Sequence, residues 1–250
     1  MNEVKSGGFA IDIGKNVTLN LHNAPSLAGI SSMATRLLLL ELSRDFERMS
    51  GSKVHFESVG GVEAARRVTT GEAFDVVLLA SDAIDKLIAT GHVMSDSRTD
   101  IVCSPVVIAA KQLATLRRID SVETMREAVL AAAGIGYSTG PSGTELLQLF
   151  DKWGILPQLQ DRLVQAAVGK PVGQMVADGV VELGFQQFSE MMHFPGVFAC
   201  PLPAKCAIIS RFTAGICSTS RVPESARDLI AYLASGASAE SKNRYGMQPA

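Results

Sequence analysis

Strand-like runs alternate with amphipathic helical patterns along most of the chain, and this alternation constrains the fold more than any single motif does. In the first half, the strand-like runs 53–59 and 74–80 are each followed by a helical pattern, at 62–70 and 83–93. A strand, a helix and a further strand in this order are typical of βαβ units, whose strands lie parallel in one sheet. The sequence therefore predicts an α/β fold.

The same order returns in other parts of the chain. The further predicted elements are a strand at 17–23, a helix at 37–50, a helix at 121–133, a strand at 134–139, a helix from Ser142 and a strand at 181–186. These elements fall into two groups, one between residues 17 and 93 and the other between residues 121 and 186. A chain of 250 residues is long enough for two lobes, each with its own core.

Two long apolar stretches with the composition of strands, 101–111 and 199–217, separate the two groups. If both cross between lobes, the chain leaves the first lobe, builds a second one and returns. We therefore predict that residues 1–103 and 205–250 form the first lobe and that residues 104–204 form the second.

The charge balance excludes one group of partners. The chain carries 23 Lys and Arg against 25 Asp and Glu, so its net charge is −2. Nucleic acids and anionic membrane surfaces bind proteins that present a basic field, and we expect neither as a partner. The apolar run 37–42 is too short to span a bilayer, so we expect no membrane insertion.

The first sixteen positions bear on cellular location, because charged residues interrupt them and leave no continuous apolar core for a secretory signal. The sequence as given therefore predicts a cytoplasmic protein. If the sequence is a mature form whose leader has been trimmed, the same protein is expected in the periplasm.

The cysteines and histidines fit no metal-binding spacing. Each cysteine lies in an apolar, strand-like stretch, where a free thiol behaves as a small hydrophobic group. We expect reduced thiols, with a Cys200–Cys206 pair as the alternative, and we expect neither a metal nor a cofactor. The residues concerned are Cys103, Cys200, Cys206, Cys217, His22, His55, His92 and His193.

The stretch 136–150, GYSTGPSGTELLQLF, turns from small polar residues into a helical apolar pattern. Ser142 and Glu145 have the spacing of an S-x-x-E capping box, and Pro141 and Leu146 have the spacing of a hydrophobic staple. This pattern predicts that Ser142 caps a helix.

Three residues upstream of this cap, Ser138, Thr139 and Gly140, are not explained by the helix start. Hydroxyls and free N–H groups in front of a helix N-terminus favour a bound anion. No lysine follows Gly143, so the stretch is not a Walker A loop. The residues alone leave two alternatives open, a simple helix start and an anion site.

Five segments, in this order, resemble the type II periplasmic binding proteins and, among them, the substrate-binding proteins of molybdate importers. They are NAPSLAGI, the long segment from ESVGG to ATGHV, SPVVIAAK, STGPSGTELLQLFDKWGI and VELGFQQFSEM. The resemblance runs from about Val17 to about Tyr245. It implies a two-lobed α/β fold with two crossover strands and a cleft between the lobes.

In that family, hydroxyls and N–H groups at helix N-termini hold an oxyanion in the cleft. The resemblance implies that the first-lobe hydroxyl is Ser26, and that the opening stretch of the second lobe faces it. The ligand-binding residues implied in this way are Ser26, Gly60, Gly61, Ser81, Ser138, Thr139, Gly140, Ser142, Gly143, Lys170, Gln186 and Gln187.

Several of these residues have a plainer alternative. Gly60 and Gly61 stand where the family has a serine-rich loop, and a simple glycine turn would explain them. Ser81 follows a buried strand and could cap the next helix. Lys170 could be an exposed loop lysine.

Two neutral amides, Gln186 and Gln187, stand where the family often has an apolar or aromatic cleft residue. Amides both donate and accept hydrogen bonds, so they favour a carboxylate with further carbonyl or hydroxyl groups over a compact oxyanion. Because neighbours in a strand alternate, we expect at least one of the two to face solvent.

The first functional hypothesis is that the chain binds a small anion, an organic acid or an oxyanion, as the substrate-binding protein of an ABC importer. The alternative is a cytoplasmic enzyme on the same fold, such as an aconitate-isomerase-like enzyme that moves a proton across an allylic carboxylate. The sequence names no single base for that chemistry, and the candidates are Glu63, Glu190, His22 and Lys170. A ligand-responsive interaction module is the third hypothesis.

Overall fold

The structure is a computed structural model that describes residues 25–167 and 169–250. The strand predicted at 17–23 and the candidate base His22 lie outside the described residues. The first described strand, Ser26–Ser32, was not predicted.

The first part of the chain forms three strand–helix pairs, in agreement with the predicted alternation. They are β1 (Ser26–Ser32), α1 (Arg36–Ser50), β2 (Lys53–Val59), α2 (Gly61–Thr69), β3 (Val76–Ala80) and α3 (Ser81–Ala89). A 3-10 turn at Met33–Thr35 joins β1 to α1. Helix α1 buries Leu38, Leu42 and Phe46 on one face and ends at Gly51, whose φ of 76° suits a glycine.

The remaining elements alternate less regularly. They are β4 (Thr99–Ala110), α4 (Leu113–Leu116), α5 (Val122–Ala131), β5 (Ile135–Tyr137), α6 (Pro141–Lys152), α7 (Leu156–Leu159), β6 (Leu163–Gln165), α8 (Val172–Ala177), β7 (Leu183–Gln187), α9 (Phe188–Met191), β8 (Phe198–Pro201), β9 (Ile209–Ile216), α10 (Pro223–Ala234), α11 (Ala239–Arg244) and β10 (Gln248–Pro249). The apolar stretch 199–217 thus contains two strands, separated by a 3-10 turn at Ala204–Cys206.

Most of the described strands follow one hydrogen-bonded path, β2-β1-β3-β9-β4-β7-β5-β6, and β8 and β10 pair with β4 beside this path. Residues Thr99–Pro105 of β4 pair antiparallel with β9, whereas Val106–Ala109 pair antiparallel with β7. Strand β1 pairs parallel with β2 and β3, and β5 pairs parallel with β6 and β7. Strand β4 therefore gives its first half to one sheet and its second half to another.

Separate hydrophobic cores cover the two sheets. Helices α1 and α10 pack on the sheet of β1, β3 and β9, around side chains such as Leu78 and Ile101. Helices α5 and α6 pack on the sheet of β5 and β7, where the rings of Phe150 and Phe185 meet edge to face at 5.8 Å.

We call residues 25–105 with 209–250 the first lobe and residues 106–208 the second lobe. The predicted boundaries at 103/104 and 204/205 stay a prediction. Within the described ranges, no helix combines the length and the apolarity that crossing a membrane requires.

Candidate functional site

The polar groups of interest lie where the parallel strands of each lobe end. The carboxyl ends of β1, β2 and β3 meet at one edge of the first sheet, and α1, α2 and α3 begin there. Helices α6 and α9 begin at the corresponding ends of β5 and β7 in the second lobe. Ligands of open α/β sheets bind outside the carboxyl ends of strands.

Two observations place these edges against each other. The short helix α9 packs against the 3-10 turn Met33–Thr35 of the first lobe. On the other side, burial and then the charge of Asp82 on α3 raise the pKa of Glu145 on α6. The cleft between the lobes therefore has two sides, which we call the α1–α9 side and the α3–α6 side.

The first lobe brings three serine hydroxyls to the α1–α9 side. Ser31 and Ser58, from adjacent strands, hydrogen-bond to each other at 2.8 Å between their Oγ atoms. Ser32 is only 8 % exposed, and its Oγ has no hydrogen-bond partner among the described residues. A buried hydroxyl without a partner costs free energy, so Ser32 has an unused donor and acceptor.

Arg36 is the first residue of α1 and supplies the positive charge on this side. Its side chain is exposed, and no acidic residue of the described chain forms an ion pair with it. Its charge reaches across the cleft, because it is one of the groups that lower the pKa of Glu190. Arg36 is thus available to an anion.

The second lobe holds Glu190 in a defined position. The buried amide of Gln186 accepts a hydrogen bond from the Val172 N–H at 2.8 Å and donates one to Glu190 Oε2 at 2.8 Å. Burial raises the pKa of Glu190 to about 7, against the opposing effects of Gln186 and Arg36. The neighbouring Ser189 is 6 % exposed, and its Oγ is a second hydroxyl without a partner in the described chain.

Gln186 and Gln187 are both buried, at 5 % and 6 % exposure, so the prediction that at least one of them faces solvent is wrong. Strand β7 lies inside its sheet, between β4 and β5, and helices cover both of its faces. Gln187 Nε2 donates to Ser210 Oγ at 3.2 Å and so links the second lobe to the first.

On the α3–α6 side, the predicted capping box is wrong. Helix α6 has Gly140 as its N-cap and Pro141 as its first residue, so Ser142 lies inside the helix and makes no cap hydrogen bond. Proline suits the first helical position because it has no N–H to satisfy. The Ser142 hydroxyl instead bonds to Ser138 Oγ at 2.9 Å.

Packing explains Gly143. A Cβ at this position would lie 2.0 Å from the carbonyl oxygen of Ser138, and the Gly143 N–H already bonds to Gly140 O at 3.0 Å. Thr139 is exposed, and a Cβ on Gly140 would meet nothing within 4 Å. Both residues are accessible, and the exposed Thr139 hydroxyl is open to water, so it is not a buried group left without a partner.

The structure does not bring Ser26 to the cleft. Ser26 is the first residue of β1, opposite Lys53, whereas Ser32 is the last residue of the same strand. Six residues of strand separate their Cα atoms by roughly 20 Å. Ser32 occupies the place that the resemblance gave to Ser26.

Of the remaining predicted residues, Gly60, Gly61 and Ser81 lie at the ends of β2 and β3, and Lys170 lies on a loop. Gly60 is the N-cap of α2, and a Cβ on Gly61 would be 4.0 Å from Ser32 Cβ. Ser81 does not cap α3; its hydroxyl bonds to Thr213 Oγ1 at 2.7 Å. Lys170 is exposed on the loop that leads from β6 to α8.

Three residues of the site, Ser32, Arg36 and Ser189, were not predicted from the sequence. The signal for the first two was the pair of serines directly before the helical pattern, followed by an arginine at the helix start. That signal was not used, because no strand was predicted at 26–32 and the role of the first-lobe hydroxyl was given to Ser26.

Among the described residues, no group of three His, Cys, Asp or Glu side chains could hold a metal ion. The four cysteines are free thiols, so the alternative pair Cys200–Cys206 is not formed. Two hollows on the surface lie away from the cleft, one between α1 and α10 and one beside Lys111 and Glu182.

The two lobes and the cleft at their strand ends define a two-lobed periplasmic-binding-protein fold of type II. Solved structures agree with this fold. The periplasmic molybdate-binding protein of Azotobacter vinelandii superposes with a TM-score of 0.76 at 18% identity, covering 88% of this chain and 98% of that one. The sulfate-binding protein of Mycobacterium tuberculosis superposes with a TM-score of 0.72 at 13% identity, covering 90% and 87%.

The chain belongs to the bacterial extracellular solute-binding protein family, whose model matches residues 27–248. It is also similar to an aconitate isomerase from a Pseudomonas species, with 31% identity over 235 residues, 90% of this chain and 88% of that protein. These matches confirm the predicted fold class and the predicted role in solute binding.

Proposed function

We propose that the chain binds a small organic acid with two or three carboxylates on the α1–α9 side of the cleft. The observation that carries this proposal is that two buried hydroxyls on this side, Ser32 from the first lobe and Ser189 from the second, have no hydrogen-bond partner in the described chain. A ligand that spans the cleft would give both hydroxyls a hydrogen bond and would offset the cost of burying them.

Charge on the same side favours a carboxylate. The planar guanidinium of Arg36 can bind a carboxylate through two parallel hydrogen bonds. Glu190 has a pKa of about 7, so near neutral pH its carboxyl is partly protonated and can donate to a second carboxylate of the ligand. The similarity to an enzyme named for the tricarboxylate aconitate supports the same ligand class.

A ligand panel tests the proposal. The melting temperature is measured with molybdate, sulfate, citrate, cis-aconitate and trans-aconitate, because a ligand that binds only the folded state raises it. We expect the carboxylates to raise it and the inorganic oxyanions to have no comparable effect. Stabilisation by molybdate or sulfate alone would contradict the carboxylate assignment.

Titration calorimetry on Arg36→Gln then tests the position of the site. Loss of a charge-assisted interaction should weaken binding by about 2 kcal/mol, or roughly thirtyfold. The matched control is Arg44→Gln, an exposed arginine two turns further along α1, which should leave the affinity unchanged. Equal affinities of the two variants would place the ligand elsewhere.

A second candidate function is isomerisation of an unsaturated polycarboxylate in the same cleft. It is supported by a carboxyl group with a pKa near neutrality at the ligand site and by the similarity to an aconitate isomerase. The test is a proton NMR assay that follows cis-aconitate and trans-aconitate with the purified protein. Tight binding without interconversion would favour the receptor over the enzyme.

The partner of this protein and its cellular location depend on whether it is a receptor or an isomerase. A receptor hands its ligand to an ABC importer and acts outside the cytoplasmic membrane, in keeping with the description of the family. An isomerase of a metabolic acid acts in the cytoplasm. Fractionation of cells that express the full-length gene, with the NMR assay on each fraction, distinguishes the two.

A further inference from the structure

We propose that Glu190 is the catalytic residue that removes and returns the proton when the bound acid carries a methylene group next to a carbon–carbon double bond. This inference rests on the proposed carboxylate binding on the α1–α9 side. It assigns to one side chain a role that the sequence left open among four candidates.

The geometry holds the Glu190 carboxyl at a fixed point. Both polar atoms of the Gln186 amide are hydrogen-bonded: Oε1 accepts from the Val172 N–H, and Nε2 donates to Glu190 Oε2, each at 2.8 Å. This anchors one carboxyl oxygen, and no donor of the described chain is bonded to the other oxygen. A base must lie within hydrogen-bond reach of the proton it takes, and an anchored carboxyl keeps that distance constant.

The surroundings suit a group that acts first as base and then as acid. Efficient proton transfer in both directions needs a pKa near the working pH, and burial brings the pKa of Glu190 to about 7. The charge that faces Glu190 from the first lobe is Arg36, while α8, β7 and the second half of β4, which pack around α9, carry no charged residues.

Two other glutamates fit this role less well. Glu145 also has a raised pKa, but it is exposed and faces Asp82, so a bound polyanion would meet two carboxylates there. Glu63 lies in α2 and is ion-paired with Arg66 at 2.6 Å. Glu190 shares its side of the cleft with Arg36, Ser32 and Ser189, whose charge or hydroxyl groups have no partner among the described residues.

The proton shift balances without a co-reactant. Glu190 takes one proton from the methylene carbon, and that C–H electron pair becomes a new double bond to the central carbon. The electrons of the old double bond move to the far carbon, which then receives the proton from Glu190. One C–H bond breaks, one forms and the carboxylate is restored. Arg36, Ser32 and Ser189 would stabilise the extra negative charge between the two steps.

The test is Glu190→Gln, which keeps the size of the side chain and removes the base. We incubate trans-aconitate with protein in D₂O and follow deuterium entry at the methylene carbon and isomer interconversion by NMR. The variant should bind trans-aconitate within about threefold of the wild type by calorimetry but lose both reactions by at least roughly 100-fold. Glu190→Asp keeps a carboxyl group on a side chain that is one methylene shorter, so it should show rates between those of the wild type and of Glu190→Gln. It also keeps the test decisive if Glu190→Gln does not fold.

Glu127→Gln, an exposed glutamate on α5 of the same lobe, is the control and should match the wild type in every measurement. Wild-type rates in Glu190→Gln would overturn the assignment of Glu190 and leave the proposed binding intact. A wild type that binds trans-aconitate without exchange or interconversion would also overturn it. A wild type that binds no carboxylate would overturn the proposed function as well.

Discussion

The two sides of the cleft contain similar side chains, but they differ in whether buried hydroxyls are left without a hydrogen-bond partner. On the α3–α6 side the hydroxyls satisfy one another, Ser138 with Ser142 and Ser81 with Thr213. On the α1–α9 side two buried hydroxyls have no partner in the described chain. The charges differ too, because Asp82 acts on Glu145 on the first side, whereas on the second side Arg36, which has no ion-pair partner among the described residues, faces Glu190.

This difference shows that the number of hydroxyls in a stretch does not locate a binding site. The glycine- and serine-rich stretch before α6 has more polar residues than the turn after β1, yet it uses its own groups to build a helix start. A ligand gains most from groups that the fold has buried and left unsatisfied. Substitutions of matched residues on the two sides show whether this difference holds.

The largest effect is expected for Gly143→Ala on the α3–α6 side. A Cβ 2.0 Å from the Ser138 carbonyl oxygen forces the backbone to move, and overpacking of this kind should lower the free energy of unfolding by roughly 2–3 kcal/mol. Gly140→Ala, where a Cβ has open space, should cost less than about 1 kcal/mol. Urea denaturation measures both, and equal costs would contradict the packing explanation of Gly143.

The next effect concerns pH and compares the carboxylates of the two sides. Burial raises the pKa of Glu190 from 4.5 to about 7, so the folded state holds its proton where the unfolded chain has lost it. The stability that depends on this proton is complete below pH 4.5 and is lost as the pH rises through 7. Glu190→Gln stays neutral, and at pH 8 it should be more stable than the wild type by up to about 3 kcal/mol, since raising the pKa from 4.5 to about 7 is worth roughly 1.4 kcal/mol for each pKa unit.

Thermal unfolding from pH 4 to 8 measures this difference, which should shrink as the pH falls. Glu145→Gln is the comparison on the other side and should show a smaller gain, because Glu145 is exposed. A gain for Glu190→Gln that does not change with pH would mean that the Glu190 carboxyl is already ionised at low pH.

The smallest effect compares one hydroxyl from each side. Ser32→Ala removes a buried hydroxyl that has no partner in the described chain, so it should leave the stability of the free protein unchanged or raise it slightly, and should weaken ligand binding by about 1 kcal/mol, or roughly fivefold. Ser138→Ala leaves Ser142 without its partner and should cost about 1 kcal/mol of stability with unchanged affinity. The opposite result, weaker binding in Ser138→Ala alone, would move the ligand to the α3–α6 side.

Periodicity predicted most of the elements, because amphipathic helices repeat every 3.6 residues and buried strands are runs of apolar residues. Strand β1 was not predicted in this way. Its sequence, SLAGISS, has few β-branched or aromatic residues, but β2 and β3 hydrogen-bond to it on both sides. Its small residues also have a role in packing, since a Cβ on Gly29 would lie 2.3 Å from the ring of Phe56.

The sequence by itself determined the α/β class, the two groups of elements and the start of α6 to within one residue, because these depend on local patterns and on short-range backbone geometry. Only the tertiary structure decided which polar groups are free. The Ser142 hydroxyl is bonded because Ser138 comes back within 2.9 Å of it, and Ser32 is unbonded because burial separates it from water without giving it a partner. Whether a hydroxyl is satisfied depends on neighbours that folding brings together, and no local pattern records them.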